Sequence, residues 1–382
     1  MRTLSLLFAL AGLLAGCASP APPTALPVDL FVDSRFGPPG EPVDTRDVFT
    51  LSDAMRRYVD VDIGQQIRTE GVQSGLVEAL YHRAQLKLEY DAAKTRNAAE
   101  AFDARAGNCL SLVIMTAAFA KELDLPVTYQ SALLEETWSR DGSLLFASGH
   151  VNITLGPRLV DAGTMRGLGS LTIDFLPPED IRRLRTLEIS EATVVAMYAN
   201  NRAAEAMARG HLDDAYAWSH AAIRVDPSFL PALNTLGVVY LQHGDFPEAT
   251  RVFEVVLARD DNNTRALSNL AATYTRQGRT AEAAALRVRL AAVEPYPPFH
   301  FFNLGMAAME RHDFRAARDL FSREVDRAGY YHEFHFWLGV ADWRLGDVEA
   351  ARKHLALAMD NSTTRHQHDI YAAKLEWLRS TH

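Results

Sequence analysis

Cysteine is scarce: the 382 residues hold two, Cys17 and Cys109. That excludes a disulfide-stapled fold. No basic stripe accompanies the formal net charge of -9, so the electrostatic footprint expected of a nucleic-acid binder is missing. The longest N-terminal apolar run, Leu4 to Leu14, is too short to span a bilayer as a permanent helix. Metal-ligand spacing is missing from the first half of the chain. No glycine-rich phosphate loop follows a strand, because Gly167-x-Gly169 precedes Ser170-Leu171-Thr172 and reads as a plain turn. Neither a metal nor a cofactor is therefore expected. What remains is ordinary globular composition, 48% hydrophobic and 23% charged, in a length that suits two or three domains.

The first residues speak to compartment. Met1-Arg2-Thr3 is a short positive start, the apolar run follows, and Leu14-Ala15-Gly16-Cys17 closes it. This is the pattern of a secretory signal, and its last four residues resemble the bacterial lipoprotein cleavage box. The resemblance implies a signal peptide over 1–17, lipidation of Cys17, and anchoring on the periplasmic side of the outer membrane, since Ala18 and Ser19 follow where an inner-membrane-retaining Asp would stand. Residues 18–46 are proline-rich with few apolar residues and read as a disordered tether.

Residues 47–190 read as an α+β domain. Helical periodicity runs from Asp47 to Phe102, with a break at Gly71 to Gly75. Next comes the turn Ala106-Gly107-Asn108 and a helix, Cys109 to Leu123, that is apolar almost all round and hence buried on most sides. Val127 to Leu133 is a strand and Ser139 to Gly142 a turn. His150 to Leu155, Gly156-Pro157-Arg158 and Leu159-Val160-Asp161 form a hairpin.

From about Thr193 the grammar is helical and repetitive. Leu236-Gly237, Leu270-Ala271, Leu304-Gly305 and Leu338-Gly339 recur every 34 residues, with Ala249, Ala283, Ala317 and Ala351 in step. One step backwards adds Gly210 and Ala215. Five units over 194–364, with a capping helix over 365–382, resemble tetratricopeptide repeats. That family's solenoids imply a peptide or protein ligand on the concave face.

A cysteine left over in an exported chain is either deeply buried or used. Cys109 starts a helix, where unpaired backbone N–H groups and the helix dipole favour an anionic sulfur. A nucleophilic cysteine needs a base, and the base needs an orienting group. Of 13 histidines, only His82 and His150 precede the repeats. His82 lies on an amphipathic helix. His150 begins a strand and shares a face with Asn152 and Thr154. Asp161 returns on the other hairpin arm, although regular pairing sets it nearer Ile153 or Thr154 than His150. Asn152 is the backup orienter, and Asp174 stands further along. The Cys109 backbone N–H is a natural oxyanion donor. Gln130 and Tyr129 are further candidates or plain strand surface, and Trp138 lines a cleft or packs in the core. His332, His335, His366 and His368 fall in repeat helices as packing or solvated residues.

Arg105-x-Gly107-x-Cys109 with its apolar helix, the strand after Leu125-Pro126, Gly149-His150 and Leu159-Val160-Asp161 together resemble the transglutaminase-like cysteine hydrolases, which have a papain-like fold. By that resemblance Cys109 attacks an amide carbonyl, His150 is base and then acid, and Asp161 orients it. The tryptophan that often follows the histidine in that family is missing here. Three readings follow: a membrane-anchored periplasmic cysteine hydrolase or acyl transferase acting on a peptide or protein amide, a non-catalytic outer-membrane adaptor working through its repeats, and a murein-cleaving cysteine peptidase. Replacing Cys17 with Ser is expected to abolish lipid incorporation and release the chain from the membrane fraction; undiminished labelling by a radioactive fatty acid would refute the lipoprotein reading.

Overall fold

A computed structural model describes residues 26–27, 29–81, 88–91, 94–141, 144–158, 169–174, 186–362 and 364–381. Cys17, His82 and the expected hairpin arm Leu159-Val160-Asp161 lie outside them. The first unit comprises α1 (Asp53–Arg57), α2 (Gly64–Glu70), α3 (Val72–Tyr81), β1 (Glu89–Tyr90), α4 (Ala98–Ala104), β2 (Ala106–Gly107), α5 (Cys109–Glu122), β3 (Val127–Asp141), β4 (Leu144–Leu155), β5 (Leu171–Ile173) and β6 (Thr186–Ile189). The stretch read as helical from Asp47 to Phe102 is thus several short helices and one strand. Gly71, at φ 88°, ends α2. Gly75 sits inside α3, where an added Cβ would meet the Ile67 Cα at 2.9 Å, so it is a close-approach residue and not part of the break.

The main sheet is antiparallel with order β5-β4-β3-β6, and β1 and β2 form a small parallel pair. Strand β3 continues through the turn expected at Ser139, because Ser139, Arg140 and Asp141 pair with Phe146, Leu145 and Leu144. Helix α5 packs on β4 and buries every residue from Leu110 to Ala120.

Helix pairs follow: α6 (Glu191–Ala208) with α7 (Leu212–Val225), α8 (Leu230–His243) with α9 (Phe246–Arg259), and α10 (Thr264–Arg276) with α11 (Thr280–Val293). Then come α12 (His300–Glu310) with α13 (Phe314–Arg327), α14 (His332–Arg344) with α15 (Val348–Asp360), and a last helix α16 (Arg365–Thr381). Ala215, Ala249, Ala283, Ala317 and Ala351 have no exposed surface; a small side chain at each crossing lets the paired helices approach. Gly237 and Gly305 serve the same contact from the other helix, since a Cβ there would stand 2.5 Å from the Phe253 and Phe321 rings. Tyr371, Leu375 and Leu378 of α16 close the apolar end of the stack.

Residues 29–46 depart from the disordered tether expected of them. They are laid along the first two repeats. The Phe36 ring stacks on Tyr216 at 4.0 Å, and Phe31 meets His220 edge-on at 4.1 Å. Tyr216 donates to the Asp33 carboxylate at 2.7 Å. The Gly37 and Gly40 N–H groups donate to Asp213 and Asp214 at 2.8 and 2.6 Å, and Val32 N–H donates to the Tyr240 hydroxyl at 3.0 Å. Composition suggests a tether because apolar residues are few; of those present, Phe31 and Phe36 each find a ring and Leu30 is buried in the core.

One buried core runs from Leu30 through the first unit and into the third repeat as far as Ala283. A separate core begins at Phe299 and serves α12 to α14, and a third joins α15 to α16. The seam between the first two falls at Pro295 to Pro298, next to Val288 and Tyr296, which are 72% and 52% exposed.

The turn within each helix pair requires left-handed backbone. Gly210, Gly244, Gly278 and Gly346 supply it with φ between 76° and 96°, whereas the fourth repeat places His312 there at φ 59°. A side chain in that region carries strain that glycine escapes. His312→Gly is therefore expected to stabilise the chain and Gly244→Ala to destabilise it, each by about 1 kcal/mol, as read from urea midpoints; shifts of the same sign would contradict the strain account.

Candidate functional site

Three local devices aim Cys109. Arg105 ends α4 in left-handed backbone, φ 50°, turning the chain into β2. Gly107 then lets the chain pass close to α5, since a Cβ there would meet the Ser111 Cβ at 2.7 Å. Asn108 caps the helix: its Oδ1 accepts the Ser111 N–H at 2.9 Å and the Ser111 hydroxyl at 2.8 Å. Cys109 follows at the first helical position, half-buried and with a free thiol.

His150 is buried on β4. Its Nε2 stands 2.6 Å from Asp174 Oδ1, with both side chains almost fully enclosed. Cys109 interacts electrostatically with the same imidazole and favours its protonated form. Asn152 donates to Asp174 Oδ2 at 3.2 Å, while its own buried Oδ1 meets no donor among the described residues. Cys109, His150 and Asn152 are thus brought to one place. Asp161 lies outside the described residues, and the carboxylate in contact with His150 is that of Asp174.

Sheet register explains why Asp174 reaches. Ile153 pairs with Ile173 and Thr154 with Thr172, so continuing the ladder sets Asp174 beside Asn152 and diagonal to His150 on the same face. The Thr154 and Thr172 hydroxyls bond at 2.8 Å on that face, and Ile153 and Ile173 turn to the core on the other. Sequence reasoning ranks Asp174 behind Asp161 because it assumes the nearest following segment is the pairing partner. The signal for Asp174 was the alternation Leu171-Thr172-Ile173 ending in an acid.

Burial alone would lower the His150 pKa, but the Asp174 hydrogen bond and then the Cys109 contact outweigh it and raise the value from 6.5 to about 9. The imidazolium is therefore the favoured form at neutral pH, poised between a carboxylate and a sulfur.

Among the other candidates, Gln130 shares the sheet face of this cluster. The Tyr129 hydroxyl donates to Glu191 at 3.0 Å, so it is committed elsewhere. Trp138 has its backbone in β3, and its side chain is outside the description. Gln130 is a half-buried strand residue opposite Asn152. His332 and His335 are buried, the first against the Tyr371 hydroxyl at 2.7 Å, and His366 and His368 are exposed. Among the described residues no group of three histidine, cysteine or acidic side chains is placed to hold a metal ion, and no helix is long and apolar enough to cross a membrane. An open hollow of about 620 Å³ lies away from Cys109, between the N-terminal segment and α7, lined by Asp33, Phe36, Tyr216 and His220.

Comparison with known proteins bears on the helical half. Residues 199–264 and 302–364 match one tetratricopeptide repeat family model, and 240–295 match another. The helix pairs are thus tetratricopeptide repeats, a module suited to protein–protein interaction. No curated protein matches the chain. Among solved structures, a thermophilic TPR protein of Thermus thermophilus is 16% identical, covering 47% of this chain and 98% of its own at a TM-score of 0.30. YrrB, a TPR protein with an unusual peptide-binding site, is 20% identical, covering 47% and 92% at 0.25. MamA is 16% identical, covering 42% and 93% at 0.24. These superpositions carry no argument about function.

The His150 shift makes stability depend on pH. A folded-state pKa raised above the unfolded value contributes stability that is full below about 6.5 and is lost as pH rises through about 9. The wild-type chain is expected to lose up to about 3 kcal/mol over that window relative to His150→Gln, measured by urea denaturation at each pH. Parallel pH profiles for the two chains would show that the His150–Asp174 pair does not carry the shift.

Proposed function

We propose that this chain is a repeat protein that brings a peptide or protein to a cysteine acyl-transfer site formed by Cys109, His150 and Asp174. The observation that carries the reading is the enclosed His150–Asp174 pair at 2.6 Å, electrostatically coupled to the Cys109 sulfur, with the three residues supplied by separate segments. An enclosed His–Asp pair beside a half-buried thiol needs a reason in a core that could have been apolar throughout.

In the proposed reaction the resting His150 imidazolium already carries the proton given up by Cys109, and Asp174, bonded to Nε2, stabilises it; proton exchange with sulfur falls to Nδ1. The sulfur attacks the amide carbonyl carbon. Asn108 has committed its side chain to Ser111 and its carbonyl to Leu112 N–H, so the Cys109 backbone N–H is the donor offered to the developing oxyanion. His150 returns the proton to the leaving amine, which departs and leaves a thioester. Water or a second amine then resolves the thioester, with His150 again moving the proton. The transglutaminase-like resemblance of residues 47–190 supports the same assignment, with Asp174 taking the role that the resemblance gives to Asp161. Residues 1–17 support lipid anchoring through Cys17 on the periplasmic face of the outer membrane.

A second reading rests on the comparisons, whose family matches all fall in the repeats. In it the chain is a non-catalytic adaptor, and the pairing around His150 is retained for packing. The two readings part at one substitution. Under the first, Cys109→Ala lowers turnover of a peptide amide by at least about a thousandfold with the fold intact by circular dichroism, and iodoacetamide reacts with Cys109 rapidly near neutral pH. Under the second, Cys109→Ala is silent while lesions in the repeats abolish partner binding. Incubation with purified peptidoglycan alongside a protein substrate separates protein-directed hydrolysis from murein cleavage.

A further inference from the structure

The residue that joins the candidate site to the solenoid is Thr95, in the segment before α4. It is 1% exposed and is the meeting point of two sets of bonds. On one side, Asn108, the cap immediately before Cys109, donates its Nδ2 to the Thr95 hydroxyl at 2.9 Å. On the other, the first repeat helix α6 approaches with three consecutive-face residues. Asn201 Nδ2 donates to the Thr95 hydroxyl at 3.2 Å, the Arg202 guanidinium donates to the Thr95 carbonyl at 3.4 Å, and Thr95 N–H donates to the Glu205 carboxylate at 2.7 Å.

The Thr95 hydroxyl accepts two amide donors, one from each side of the contact. Thr95 is thereby engaged at N–H, carbonyl and hydroxyl. This arrangement is costly to build. Glu205 is a half-buried acid whose pKa is raised, chiefly by burial, and its enclosed Oε2 meets no donor among the described residues. An enclosed carboxylate oxygen left without a donor is not what helix packing alone would select.

We infer that Asn201 and Glu205 of the first repeat helix, acting through Thr95 and Asn108, are positioning residues for Cys109, so that the repeats complete the site. This rests on the acyl-transfer reading above. The direction of the amide at Asn108 is the sensitive coordinate. Its Oδ1 must face Ser111 to cap α5, and its Nδ2 must then find an acceptor, which Thr95 provides. Glu205 and Asn201 fix where that acceptor stands. Loosening them lets the first turn of α5 shift, and the sulfur moves with it relative to His150 on the sheet. Displacements of about 1 Å at a reacting atom cost on the order of a hundredfold in rate.

The test uses the full chain carrying Cys17→Ser, which leaves Cys109 as the single thiol, and reads the rate of its alkylation by iodoacetamide from pH 5 to 10. Thr95→Val removes the hydroxyl, Asn201→Ala removes one donor on α6, and Thr95→Ser is the conservative rescue. Expected is a ten- to hundredfold loss of the alkylation rate near neutral pH and a displaced pH profile in Thr95→Val, a smaller change of the same kind in Asn201→Ala, and restoration in Thr95→Ser. On a peptide amide, kcat falls while KM holds. Wild-type rates and profiles in both Thr95→Val and Asn201→Ala would overturn the inference. Should Thr95→Val not fold, Asn201→Ala decides alone. His150→Gln separates the two layers: if it leaves the alkylation profile of the parent unchanged, the acyl-transfer reading itself has failed, whereas a changed profile there with unchanged Thr95→Val and Asn201→Ala rejects only the positioning role.

Discussion

The pairing of β4 with β5 is the constraint on which the candidate site depends. Two register positions, Ile153 with Ile173 and Thr154 with Thr172, decide which face of the sheet is apolar and which is polar. A slip of one residue would send Asp174 to the core face and leave His150 enclosed without a carboxylate. The apolar pair enforces the register through burial, and the threonine pair reinforces it on the polar face. The His150–Asp174 contact is therefore secured by packing on the opposite side of the same strands. Helix α5, apolar on all sides, is held against this sheet and delivers Cys109 from the other direction.

How far this was legible in the sequence varies with the range of the contacts involved. The repeats were readable because one period of 34 residues recurs with a small residue at every crossing, a signal that local sequence carries in full. Cys109 and His150 could be reached by elimination, since so few thiols and imidazoles precede the repeats. Asp174 was visible as a residue but placed behind both Asp161 and Asn152, because the pairing of 153–155 with 171–173 is a non-local contact that short-range turn signals do not announce. Thr95 left no trace at all. Its partners Asn201 and Glu205 lie 106 and 110 positions away, and a lone threonine between Lys94 and Arg96 resembles any surface loop.

The N-terminal segment shows how composition misleads about order. Proline and glycine at 37–42 lower its apolar content to that of a linker, yet both contribute to its docking. Prolines reduce the conformational freedom that docking would otherwise remove, and the free N–H groups of Gly37 and Gly40 meet Asp213 and Asp214. Phe31 and Phe36 supply the apolar contact. The segment behaves as an extra strap of the first two repeats, with ion pairs from Asp29 to Arg251 and from Arg35 to Asp245 along its edge.

The division of the molecule by chain order differs from its division by burial. Chain order places a boundary near Ser190, where strands give way to helices. Burial places none there: Val194, Tyr198 and Ala203 of α6 share one core with Leu110 and Phe119 of α5, and Thr95 adds polar bonds across the same contact. The interruption of the core comes instead at Pro295 to Pro298, after the third repeat. Autonomous domains are expected to keep their cores to themselves; here the first three repeats are as much the wall of the α+β unit as a binding module. A ligand bound to those repeats would act on the helix that supports Asn108, whereas one bound beyond the seam would have to act through residues 294–299. The repeats on the near side of the seam are thus the ones physically equipped to influence Cys109.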